Sequence, residues 1–119
     1  MKITDVEAIV LDTGKPYTDP AEAQEAHGVR FVSLIKISTD EGIVGLGDTF
    51  FGSASVQTYV HDVAAPLLLG QDPLAIEAIW SQLFASTVRG GLSMRSAEMR
   101  GLSGIDVALW DIAGQALDL

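Results

Sequence analysis

The sequence predicts an α+β fold: a three-stranded antiparallel meander followed by a helical bundle. The apolar spacing predicts it first. It runs at two up to about residue 50 and changes to 3.6 from Ser53 onward. Element order predicts it next, since the strands come first and the helices afterwards, without the βαβ alternation that builds a parallel sheet. Length and composition agree. The chain has 119 residues, 48% of them apolar, with a mean hydropathy of +0.31. A chain of that size buries about two thirds of its unfolded surface around one core.

The first strand is "KITDVEAIVLDTG", with Val6, Ala8 and Val10 on one face, Asp5 and Glu7 on the other, and Gly14 ending it. The second, "VRFVSLIKIST" at 29–39, is β-branched and aromatic, with Phe31, Ile35 and Ile37 sharing a face. "DEG" at 40–42 predicts a three-residue hairpin loop in which Gly42 supplies a positive φ, and "IVGLGDT" returns as the third strand. Between the first two strands lies a long excursion. Inside it "DPAEAQEAHG" can form a short helix, with Asp19 as cap, Pro20 next, Glu22 closing a capping box and Gly28 ending it.

Ser53 or Ser55 caps the first helix of the second half, which runs through "VQTYVHDVAA" until Pro66 kinks or ends it and Gly70 closes it. The next helix has Asp72 as cap and Pro73 at its first position. Its apolar stripe is Ile76, Ile79, Trp80, Leu83, Phe84 and Val88, and Gly90 and Gly91 stop it. The last helix starts near Ser93 or Ser96 and runs to the end. Its stretch "GIDVALWDIAGQALDL" is apolar nearly all round, with Asp111, Gln115 and Asp118 on one narrow polar stripe. A helix of that kind expects covering on most sides. Ile105, Leu109, Ile112 and Ala116 follow one side while Val107, Trp110 and Leu117 point to others, so three strands and two helices leave part of it uncovered.

Several function classes are excluded or weakened. A net charge of −9, with seven scattered Lys and Arg, argues against nucleic acid. No apolar run approaches the ~18 residues of a membrane span, and "MKITDVEAIV" lacks a signal peptide's apolar core, so a cytoplasmic location without membrane association is expected. There is no cysteine for a disulfide or a thiolate zinc site. "GIVGLG" has the spacing G-x-x-G-x-G with no helix directly after it, which fits a hairpin better than a dinucleotide site. "RGGLSMR" reads as a helix-to-helix loop before it reads as a phosphate cradle. His27 and His61, 34 residues apart, form no metal motif. By themselves the residues show no catalytic constellation. Phe50 and Phe51 stand side by side in a strand-to-helix loop, where both cannot easily face one core.

"TDEGIVGLGDT", "APLLLGQDPLAIEAIW" and "MRSAEMRGLSGIDVALWDIAGQALDL" resemble the N-terminal segment of the mandelate racemase and muconate lactonizing enzyme family, within the enolase superfamily. The resemblance covers the whole chain and is most specific over 97–117. It implies that 1–119 is a capping domain, with about 93–119 the helix that leads into and packs on a (β/α)₇β barrel absent from this chain. It also implies a Mg²⁺-dependent reaction that removes a proton α to a carboxylate, the ion and the bases being supplied by the barrel. The style of the last helix is closest to the racemase subgroup, which implies a sugar-acid dehydratase. A racemase, a cycloisomerase and a stand-alone ligand-binding or dimerisation module are the alternatives.

No catalytic or metal-ligating residue carries over to this chain, and the 119 residues alone are expected to be inactive. Specificity does carry over, because in the family the loops after the first and third strands close over the barrel mouth. Here they are 14–28 and 49–53, which makes Tyr17, His27, Thr49, Phe50 and Phe51 the candidate substrate-binding residues. The implied partners are the C-terminal barrel of the same protein, a small carboxylate or sugar-acid substrate, and further copies in a homo-oligomer.

Overall fold

The computed structural model describes residues 1–12, 19–21, 31–50, 53–89 and 96–119. Strands β1 (Ile3–Asp12), β2 (Phe31–Thr39) and β3 (Val44–Phe50) form one antiparallel sheet in the order β1-β2-β3. The β2–β3 hairpin closes as its residues predict. Thr39 N–H donates to Ile43 O, and Gly42 takes a φ of 82° between them. Val6, Ala8, Ile35 and Ile37 are buried on one face, the alternation expected of a sheet covered on one side. Ile3 joins them out of phase because the β1 register shifts between Ile3 and Asp5.

The helical half begins with α1 (Ser53–Tyr59), widens into a π-helical turn (Val60–Ala64) and resumes as α2 (Ala65–Leu68). Pro66 neither ends nor breaks it. Proline has no N–H for a regular helical bond, and the turn before it is already opened to five-residue spacing, with Ala65 N–H donating to Val60 O. The segment closes at Gly70, whose φ is 84°.

Helix α3 (Ile76–Arg89) starts three residues later than the sequence suggests, because Asp72 caps a turn instead. Its carboxylate accepts from Leu74 N–H at 3.0 Å, and its carbonyl accepts from Ala75 N–H at 3.1 Å. The buried stripe is Ile76, Ile79, Leu83 and Thr87, whereas Trp80 is exposed and Phe84 half-buried. These two rings stack on one another, centroids 4.7 Å apart, at the flank of the stripe.

Helix α4 (Ala97–Ala116) is capped by Ser96, whose hydroxyl accepts from Met99 N–H. It lies directly across β3. A side-chain carbon placed on Gly47 would come within 2.0 Å of Gly104 O, and one on Gly45 within 2.1 Å of Ala108 O. The second and third glycines of "GIVGLG" therefore let a helix backbone rest on a strand backbone. Ile105, Ala108, Leu109 and Ile112 of α4 complete the core with Val56, Val60 and Leu68.

Both outer strands have part of their free backbone bonded by the helices. On β3, Leu46 N–H donates to Asp111 Oδ2 and Val44 O accepts from Gln115 Nε2, both at 2.8 Å. On β1, Ala8 N–H donates to His61 Nε2 at 3.1 Å and Ala8 O accepts from Gln57 Nε2 at 3.2 Å. The acceptor role of Nε2 places the proton of neutral His61 on Nδ1. Each pair is spaced four residues apart, which puts its members one above the other on a helix face. Farther along β1, Ile3 exchanges bonds with Gly70 and Gln71.

Candidate functional site

The sheet brings one set of chain ends together. With β2 antiparallel to both neighbours, the last residue of β1 (Asp12), the first of β2 (Phe31) and the last of β3 (Phe50) share one end, in the register Asp12–Phe31 and Val32–Phe50. Segments 13–30 and 51–52 connect the elements there, and α1 begins just beyond at Ser53. The two loops singled out by sequence thus depart from the same end of the sheet.

Of the five residues proposed to meet a substrate, Thr49 is placed with its side chain. It is 9% exposed and pairs across the strands with Ser33. Phe50 closes β3 by its backbone. Its side chain, together with Tyr17, His27 and Phe51, lies outside the described residues, as do "RGGLSMR" beyond Arg89 and the proposed helix after Ala21. The start of that helix is described: Pro20 and Ala21 are helical, and the Asp19 carboxylate accepts from Ala21 N–H at 3.0 Å.

The structure adds two residues that sequence reasoning missed. Ser33 is fully buried beside Thr49, and Ser53 is buried at the first turn of α1. Neither hydroxyl has a hydrogen-bond partner among the described residues. Most buried polar groups are bonded, so two orphaned hydroxyls on the elements that meet at this end mark it as a polar position in an otherwise apolar layer. A signal for Ser33 was available. It occupies a core-facing place in the alternation Phe31, Ser33, Ile35, Ile37, where an apolar residue is the default. Hydroxyls of this kind donate and accept hydrogen bonds. They suit the orientation of a polyhydroxylated ligand, and they supply neither a base nor a nucleophile.

A second surface concerns covering. Val107 and Trp110 of α4, and Leu117 just after it, are 47%, 61% and 64% exposed and share one face. A cleft of about 590 Å³ between Leu74, Ile76, Trp110 and Leu117 continues that face towards α3. Beside it Asp106 lines a smaller hollow with Trp80 and Trp110, and partial burial there pushes its carboxyl above the usual range. Among the described residues no three His, Cys, Asp or Glu side chains converge, so those residues do not build a Mg²⁺ site. No helix of the described residues is long and apolar enough to cross a membrane.

An antiparallel sheet with both connecting loops at one end, and a long helix lying on its glycines, is the architecture of the enolase superfamily's N-terminal capping domain. Residues 5–119 match the family described as mandelate racemase / muconate lactonizing enzyme, N-terminal domain, and the chain belongs to that family. It is 48% identical over 87 residues to a D-galactonate dehydratase of Pectobacterium atrosepticum, covering 71% of this chain and 22% of that one. A mandelate racemase subgroup enolase from Agrobacterium tumefaciens superposes over 98% of this chain and 27% of that chain, with a TM-score of 0.72 and 36% identity. The 3,6-anhydro-D-galactonate cycloisomerase of Zobellia galactanivorans gives a TM-score of 0.80 at 26% identity, over 98% of this chain and 29% of that chain. The chain spans roughly a quarter of the length of the curated relatives it matches, 26% for a relative in Cellvibrio japonicus that it matches throughout.

Proposed function

We propose that this domain caps and helps to select the substrate of a Mg²⁺-dependent sugar-acid dehydratase, a cytoplasmic enzyme that removes a proton α to the carboxylate. One observation carries the reading. The connections of a capping domain leave one end of its sheet, the end at which Ser33, Thr49 and Ser53 are buried, in a chain whose relatives include D-galactonate and D-mannonate dehydratases. In this reading Tyr17, His27, Thr49, Phe50 and Phe51 face the substrate, with Ser33 and Ser53 beneath them. The metal would stabilise the enediolate, and because the described residues do not build its site, it would be held by a barrel domain of the same protein. The exposed face of Val107, Trp110 and Leu117 supports such a partner, since a contiguous apolar patch of this kind is where another surface packs.

The test is to supply the enzyme that carries this domain with Mg²⁺ and a panel of sugar acids, following formation of 2-keto-3-deoxy acids. Turnover of D-galactonate or a stereoisomer is expected. Thr49→Val is expected to change the order of preference among stereoisomers, because it removes a hydroxyl while conserving volume. Turnover of none of the panel, or an unchanged preference in Thr49→Val, would refute the corresponding half of the reading. Cycloisomerisation of an anhydro sugar acid without any dehydration would place the enzyme with the Zobellia relative instead.

A further inference from the structure

Helices α3 and α4 repeat one pattern where they meet. Each sets a carboxylate one turn ahead of an indole, Glu77 before Trp80 on α3 and Asp106 before Trp110 on α4, a spacing that stacks the pair on one helix face. Together with Ile76 and Ser81 these four side chains line a hollow of about 290 Å³, which shares Glu77 and Trp110 with the larger cleft beside it. Both rings and Glu77 are exposed, and Asp106 is half-buried. Burial alone pushes the Asp106 carboxyl above the usual range, and no described group, Ser81 included, bonds to it.

A partly desolvated carboxylate without a counter-charge is tolerable while water still reaches it. A surface packing onto this face removes that water, and an ionised carboxylate enclosed among indole rings without a partner is among the costliest groups a protein can bury. The covering surface must therefore bring a donor of opposite charge. A guanidinium suits the hollow best. Its plane lies against ring faces, its forked N–H groups match a carboxylate, and it gives up water more readily than an ammonium. We propose that the barrel surface covering this face carries an arginine, whose guanidinium enters the hollow between Trp80 and Trp110 and pairs with Asp106, with Glu77 at the rim. This assignment rests on the barrel covering proposed above and adds the chemistry of the surface that meets it. It also reverses the sign of one effect. In the 119 residues alone, removing the Asp106 charge relieves its desolvation, whereas against a seated guanidinium the same change strands a buried cation.

The experiment uses the intact enzyme that carries this domain and compares Trp110→Lys, Asp106→Leu and Asp106→Glu. Trp110→Lys and Asp106→Leu are expected to melt lower than the unaltered enzyme, and Asp106→Glu, which keeps the charge, to recover most of the loss. Labelling with phenylglyoxal, which modifies arginine, is then read by mass spectrometry. One arginine outside residues 1–119 is expected to react at least about tenfold faster in Asp106→Leu, the factor that loss of a charge-assisted hydrogen bond implies, and to stay protected in Asp106→Glu. A harmless Trp110→Lys would overturn the covering itself. Lowered melting in Trp110→Lys, with Asp106→Leu equal to or above the unaltered enzyme, would leave the covering standing and overturn the arginine. Labelling in which no arginine outside residues 1–119 responds would overturn it too, and a response within them would assign the contact to a second copy instead of the barrel. If Asp106→Leu does not fold, Asp106→Asn in the intact enzyme is read in its place.

Discussion

Gly47 is where a single added carbon does most harm, because its neighbour is the backbone oxygen of Gly104 and cannot rotate away. Gly47→Ala is expected to lower stability by about 3 kcal/mol or more, the upper end of overpacking costs, in a denaturant titration. Gly114→Ala should do the reverse. It lies inside α4 with open space around it, so the variant is expected to gain about 0.5–1 kcal/mol from reduced backbone freedom in the unfolded chain. Asp106 carries a pH dependence. Its folded-state pKa is raised, so the folded state holds the proton more tightly than the unfolded one, and stability falls as pH rises through the window between the two values. Asp106→Asn is therefore expected to melt higher than the unaltered protein at neutral pH. That difference should close below the carboxylate range, as thermal scans at the two pH values will check.

At the level of elements, the two helix-borne pairs on the sheet edges make a prediction of their own. Asp111→Ala removes a charge-assisted acceptor from Leu46 N–H and should cost about 1–2 kcal/mol. Amide exchange is expected to quicken at Leu46 while Ile37, in the middle strand, keeps its protection. The sequence made the elements themselves legible because alternation in β2 and the hairpin glycine are local signals. The polar stripe of Asp111 and Gln115 was also visible, but its use was not, since the partner is a strand edge about 65 residues away in the chain. That the helix runs on past Pro66 was hidden for a related reason. Proline announces a missing donor, whereas the compensating five-residue turn is a choice of the whole layer. At the candidate site, the sequence put Thr49 in the loop after the third strand, whereas β3 runs on to Phe50 and includes it. Ser33 was signalled by its core-facing place in β2, whereas Ser53 gains meaning only when burial shows its hydroxyl without a partner among the described residues.

For the whole molecule, the question raised by an all-round apolar helix resolves into two sides. One side of α4 buries Ile105, Leu109 and Ile112 against the sheet, and the other leaves Trp110 and its neighbours in water, while Ala116, expected on the inner side, is exposed. Trp110→Lys is expected to leave the melting temperature of the isolated 119-residue chain nearly unchanged, to suppress any self-association seen by sedimentation, and to destabilise a protein in which a barrel covers that face. Retention of self-association in the variant would assign it to another surface. The edge bonding described above limits how copies can assemble. Ribbons grow when one molecule's outermost strand finds bare peptide groups on the next. Here the peptide groups of Ile3, Ala8, Val44 and Leu46 are already taken by the chain's own helices and turns. Strand-to-strand growth through these stretches of edge is thereby disfavoured, and any contact between copies is left to side-chain faces and to the rest of each edge.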